Sequence, residues 1–231
     1  MALHIGTLVG AVAYFRHDVV GYARGWARSI RHRRIESPEE RLSWLIVAAT
    51  IPGVLTGILA EGFIERELGQ PWLIAVMLAV FGIVLYAVDR WAGQRRGMED
   101  LSPRDAMIIG TAQALALSPG VSRSGVTITA ARGLGLDRPA ATRFSFLLSL
   151  PIIAGAVVVE IADLVRTGLP PGTLGPFVWG IVASAVSGYL VIWGLLAFLR
   201  RRSFAPFVWY RLAAAGLVAA LIAANVRPAT V

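Results

Sequence analysis

The chain has 231 residues, 56% of them hydrophobic and only 16% charged, with no cysteine and a formal net charge of +8. So few charges, spread among long apolar runs at a mean hydropathy of +0.67, exclude an ordinary soluble domain, and the lack of thiols excludes disulfides and thiolate chemistry. The basic surplus does not point to nucleic acid, because it falls in blocks that alternate along the chain.

Seven arginines lie between Arg16 and Arg41, four between Arg90 and Arg104, and three at Arg200, Arg201 and Arg202. The loops 61–71 and 166–176 hold one each, Arg66 and Arg166. That alternation is the positive-inside pattern of cytoplasmic and external loops, with anionic headgroups as an added attraction for the basic ones. Between the blocks run six apolar segments, 1–15, 42–60, 72–88, 144–165, 177–199 and 206–224. Several approach the roughly 20 residues that a helix needs to cross a bilayer. The first carries no charged leader and no small-residue cleavage site, so it does not read as a removable signal. With the arginine-rich loops cytoplasmic, residue 1 lies outside and the first three segments cross out-in, in-out and out-in.

Segments four to six must then start from the cytoplasm, so the stretch 106–136 has to return to the side on which it entered. Its arms, 106–117 and 125–136, are each roughly 18 Å long as helix and too short to span. They predict a re-entrant helical hairpin whose turn is buried in protein or lines a wet cavity. The fold expected is all-α and integral to the membrane, a single polytopic domain over 1–231. It comprises six transmembrane helices plus one re-entrant hairpin, arranged as an inverted-topology repeat. Residues 1–88 form an incomplete first repeat and 106–224 the second. A matching first hairpin is expected ahead of residue 1, so the abrupt start reads as a late start codon, a fragment or a truncation.

The turn carries the chemistry. An arginine at mid-membrane costs about 2.5–3.5 kcal/mol on insertion scales, which marks Arg123 as functional. Its planar fork suits phosphate oxygens. Gly120 and Gly125 permit close backbone approach, Ser118, Ser122, Ser124 and Thr127 supply hydroxyls, and the second arm turns its positive N-terminus into the turn. The alternative is that the small residues serve helix packing and that Arg123 is a structural counter-ion. No Asp, Glu or His lies between Ala106 and Leu136, so the hairpin can bind phosphate yet lacks a base and a metal ligand of its own. Gln113, one turn before Leu117, either orients a water or bonds a neighbouring helix. His4 reads as interfacial, as do Glu160 and Asp163, whose alternative is a metal site. Residues 28–34 read as a solvated topology signal. Pro52 and Pro151 predict kinks that shape a lipid-tail groove. Trp72, Trp91, Trp179 and Trp209 fall where an aromatic belt belongs.

The stretch AQALALSPGVSRSGVT, followed by ATRFSFLLSLP, resembles the undecaprenyl-diphosphate phosphatase family of bacteria, also called the bacitracin-resistance phosphatase family. LHIGTLVGAVAYFR near the start and FAPFVWYRLAAAGLV near the end extend the similarity over essentially the whole chain. The resemblance implies six transmembrane helices and two re-entrant hairpins in the bacterial inner membrane. It implies hydrolysis of a C55 polyprenyl diphosphate to the monophosphate, recycling the lipid carrier of cell-wall synthesis and conferring bacitracin resistance. A divalent cation, Mg²⁺ or Ca²⁺, is implied, with no ligand for it identifiable in this chain. By the same likeness Arg123, Ser122 and Ser124 are catalytic, and Gly120, Gly125, Thr127, Ser118 and Gln113 bind substrate. The family's first signature, a Glu-x-x-x-Glu element followed by a Pro-x-Ser-Ser-Thr-Gly-His-type turn, has no counterpart here. The partners expected are the long-chain lipid, the membrane and a second copy of the chain in a homo-oligomer, and no nucleic acid. The alternatives to the phosphatase are a polyprenyl-phosphate transporter or flippase, built on the same broken helices, and a catalytically inactive truncated form.

Overall fold

The computed structural model describes residues 1–93 and 95–224, with the side chains of 60–67 left aside. Arg66 therefore falls outside the described side chains. Nine α-helices and two short 3₁₀ turns account for the ordered elements among the described residues. In chain order they are α1 (Ala2–Tyr14), α2 (Arg16–His32), α3 (Pro38–Glu67), α4 (Pro71–Trp91), α5 (Pro103–Ala114), α6 (Arg123–Gly133), α7 (Arg138–Thr167), α8 (Leu174–Leu199) and α9 (Ala205–Ala223). Of these, α3, α4, α7, α8 and α9 are long and apolar enough to cross a membrane, and α1 is a shorter apolar helix of 13 residues.

Local chemistry sets the boundaries. Pro71 opens α4, and Pro103 opens α5 behind a reciprocal cap between Ser102 and Asp105. The Asp137 carboxylate accepts from the Ala140 N–H at 2.7 Å at the head of α7. Pro52 and Pro151 lie inside α3 and α7. The tryptophans Trp72, Trp91, Trp179 and Trp209 are exposed close to helix ends, as their expected belt requires.

The chain divides into two compact units, Met1–Val47 with Phe146–Arg200, and Ala48–Ser145 with the chain from Arg201 onward; α3 and α7 contribute to both. In the first unit α1 packs on α8 through Gly6 and Gly10, where an added Cβ would collide with Ser184 and with the Ala185 carbonyl. The Phe15 side chain is buried there, its ring centroid 6.3 Å from that of Phe146. In the second unit α5 and α6 pack on each other, and α4 packs on both α6 and α9. Ile109, Val121, Val126, Ile128, Ala131 and Leu136 are all buried, which places the unit's core around the α5–α6 pair.

The outer ends of that pair meet. Arg96 donates from Nη1 to the Leu134 carbonyl at 2.9 Å and from Nη2 to the Asp105 carboxylate at 2.6 Å. Backbone bonds from Arg96 N–H to the Gly135 carbonyl and from Asp137 N–H to the Arg96 carbonyl fasten the same corner. One guanidinium thus spans the entry to α5 and the exit from α6. The helices differ in extent from the expected arms: α5 starts earlier, at its Ser102 cap, and α6 starts at Arg123, because Ser122 is its N-cap. Arg123 is the first helical residue, one step inside the turn.

Candidate functional site

The turn between α5 and α6 gathers the expected residues. Gly120 has φ +89°, a left-handed conformation open to glycine, and a Cβ there would stand 2.6 Å from the Ile74 carbonyl of α4. Ser122 also has positive φ, +67°, which turns the chain sharply into α6 and lets its Oγ accept from the Gly125 N–H at 3.2 Å. A non-glycine residue held at positive φ stores strain of a kind that clusters at functional sites. The N–H groups of Arg123 and Ser124, in the first turn of α6, have no intrahelical acceptor, and the helix dipole adds positive potential at the same point.

Arg123 is half-buried, and no hydrogen bond or ion pair engages its guanidinium among the described residues. A second cation braces the turn from α9. Arg211 is buried and donates from Nη2 to the carbonyls of Gly120 at 2.9 Å and Val121 at 3.3 Å, and from Nε to Leu78 at 3.3 Å. Its Nη1 would lie 3.1 Å from a Cβ at Gly125, so any side chain there would crowd it. The Thr127 hydroxyl is turned inward. It bonds the Ser145 hydroxyl at 2.7 Å and the Arg123 carbonyl at 2.9 Å, tying α6 to α7. Gln113 and Ser118 lie beside the turn, their polar atoms buried and unbonded.

Charge pairing is concentrated instead at the base of the pair. Arg132 is fully buried and donates to the Asp89 carboxylate at 3.0 Å and to the carbonyls of Asp89, Gly93 and Leu136. Arg138 reaches the same carboxylate at 2.8 Å. At the neighbouring corner, burial pushes the Asp105 carboxyl up, but the Arg96 hydrogen bond and the Ser102 cap outweigh it and hold it below the usual carboxylate range. Each arginine at the base thus meets a carboxylate, two of them sharing Asp89, whereas Arg123 at the turn meets none among the described residues. Such an arrangement can hold an anion with two or more acceptor oxygens.

Sequence reasoning missed Arg211, Arg132, Asp89 and Ser145. Arg211 carried a usable signal, an arginine inside an apolar segment long enough to span. His4, read as interfacial, pairs with Glu160 at 2.7 Å. Among the described residues no three His, Cys, Asp or Glu side chains converge as a metal site.

A family model for bacitracin resistance protein BacA matches residues 1–217. The chain is 45% identical to an undecaprenyl-diphosphatase of Pelobacter propionicus over 223 residues, covering 96% of this chain and 82% of the relative. It is 45% identical to one of Geobacter sulfurreducens, covering 97% and 84%, and 44% identical to one of Gemmatimonas aurantiaca, covering 97% and 83%.

Proposed function

The chain belongs to the bacitracin resistance protein BacA family, and on that premise we propose that it is a multi-pass enzyme of the bacterial inner membrane that hydrolyses undecaprenyl diphosphate to the monophosphate and inorganic phosphate. The observation that carries this reading is the half-buried Arg123 at the start of α6, unpaired among the described residues, beside a second arginine already bonded to the turn.

Arg123 forks onto nonbridging oxygens of the terminal phosphoryl group, and the open N–H groups of Arg123 and Ser124 donate to the same group. Ser122 accepts from Gly125 and so keeps its own hydrogen to donate. Ser124 offers a further hydroxyl, while Gly120 and Gly125 let the backbone and Arg211 approach. Thr127 positions the start of α6 through Ser145. Charge that gathers on the bridging oxygen as its bond to phosphorus breaks meets the two guanidinium groups. The resemblance implies a divalent cation, but the turn offers hydrogen-bond donors and cations. These residues do not fit a metal ion.

In the membrane, α5 and α6 are roughly 18 and 16 Å long, about half of the hydrocarbon thickness each. We read them as a re-entrant hairpin with its turn near mid-depth, α3, α4, α7, α8 and α9 as full-length crossings, and α1, 13 residues long, as a sixth and shorter one. Residues 1–88 and 106–224 are then oppositely oriented repeats. The test is product analysis. Purified chain given undecaprenyl diphosphate is expected to yield one inorganic phosphate per lipid monophosphate. Lipid transfer between leaflets with no phosphate released would contradict the reading and favour a flippase.

A further inference from the structure

Two polar side chains beside the turn are buried yet bond nothing. Gln113, in the last turn of α5, is 2% exposed. Neither its Nε2 nor its Oε1 has a hydrogen-bond partner among the described residues, and the same is true of the buried Ser118 Oγ. The hydroxyls of Thr127 and Thr129 on α6 donate to carbonyls of their own helix, and Ser122 Oγ accepts from Gly125. Burying a carboxamide without partners costs about 1–3 kcal/mol. Of the two roles the sequence leaves open for Gln113, the bond to a neighbouring helix is not made.

The identity of the bare atoms selects the occupant. A phosphate oxygen only accepts, so it satisfies Nε2 and the Ser118 O–H but never Oε1, which needs a donor. Exchanging the amide nitrogen and oxygen changes nothing, because both are bare. Water both donates and accepts, and a buried water characteristically has two to four such partners.

We propose that the Gln113 carboxamide and the Ser118 hydroxyl hold a water at the α5–α6 turn, and that this water is the nucleophile of the hydrolysis; the proposal rests on the phosphatase reading. The water oxygen bonds to the terminal phosphorus clamped by Arg123, and the bond from that phosphorus to the bridging oxygen breaks. The bridging oxygen leaves with the electron pair as part of the lipid monophosphate. One water hydrogen stays on the new hydroxyl of the inorganic phosphate. The other passes to a nonbridging oxygen of the same group, so the released product is dihydrogen phosphate and atoms and charge balance. Gln113 is a positioning residue, acting through the water it holds.

Gln113→Met keeps the volume and removes both polar atoms. In the full chain its kcat is expected to fall about 100-fold, the scale of a misplaced reactant, with KM within about twofold. Its unfolding temperature is not expected to rise, since a bonded amide is being lost and no bare one relieved. Ser118→Ala, a smaller change, is expected to lower kcat about tenfold at unchanged stability. Gln113→Met that unfolds at a higher temperature and turns over like the unmutated chain would show an empty, bare amide and overturn the proposal. So would a joint fall of turnover and stability in Gln113→Met with Ser118→Ala unaffected, which marks packing alone. An unmutated chain that releases no phosphate overturns the phosphatase reading itself, a different result from an active chain indifferent to Gln113.

Discussion

Arg123 and Arg132 lie nine residues apart along the same short helix, under opposite conditions. The Arg132 guanidinium makes four hydrogen bonds, to the Asp89 carboxylate and to three carbonyls, in a site closed to solvent, whereas Arg123 meets no acceptor among the described residues. Removing the partner of a buried cation is costly because the charge remains, by about 3–5 kcal/mol. Asp89→Ala strips that partner from Arg132 and also from Arg138, so a loss of that size is expected in denaturant unfolding. A loss below about 1 kcal/mol would show that the cluster is not the clamp its geometry describes. Arg123 was legible in the sequence because glycines, serines and a proline surround it. Arg211 stands out as a lone arginine in an apolar segment, but its partners Gly120 and Leu78 are 91 and 133 positions away, so no local pattern shows what it braces.

At the scale of elements, the α5–α6 pair depends on the corner where its ends meet. Asp105 receives Arg96, which also bonds the exit of α6, and its carboxyl is held below the usual range. A carboxyl whose folded value is depressed stabilises the fold above its unfolded value and loses that contribution as pH falls through the lower, folded one. Asp105→Asn is therefore expected to be less stable than the unmutated chain at neutral pH, with the difference closing below the usual carboxylate range. A difference that stays constant down to acid pH would contradict this. Direction in the membrane can be read separately, because the chain has no cysteine. Single cysteines placed at Arg104→Cys and Gly133→Cys, both exposed positions at the outer ends of the pair, are expected to label from the same side of the bilayer. Labelling from opposite sides would refute the re-entrant reading. The two arms were legible from apolar runs too short to span. Their exact starts were not, since the caps at Ser102 and Ser122 depend on backbone angles that hydropathy does not report.

For the whole molecule, hydropathy implied six crossings and five helices reach spanning length, α1 being shorter at 13 residues, while a family match over residues 1–217 agrees with what the PGVSRSG stretch implied. What composition did not carry was the pairing of helices. α1 meets α8 through Gly6 and Gly10, and α4 meets α9 beside Arg211, contacts set by small residues rather than by apolar content. If the turn between α5 and α6 is the site, its positive charge is the charge that binds and turns over a diphosphate. The most direct measurement is inorganic phosphate release from undecaprenyl diphosphate by the chain in detergent, beside its Arg123→Ala variant, with unfolding followed in both. Loss of release in the variant, by about 100-fold or more, at nearly unchanged stability is the predicted result. Release that persists in Arg123→Ala would contradict the account, because the turn would then not be where the phosphate is held.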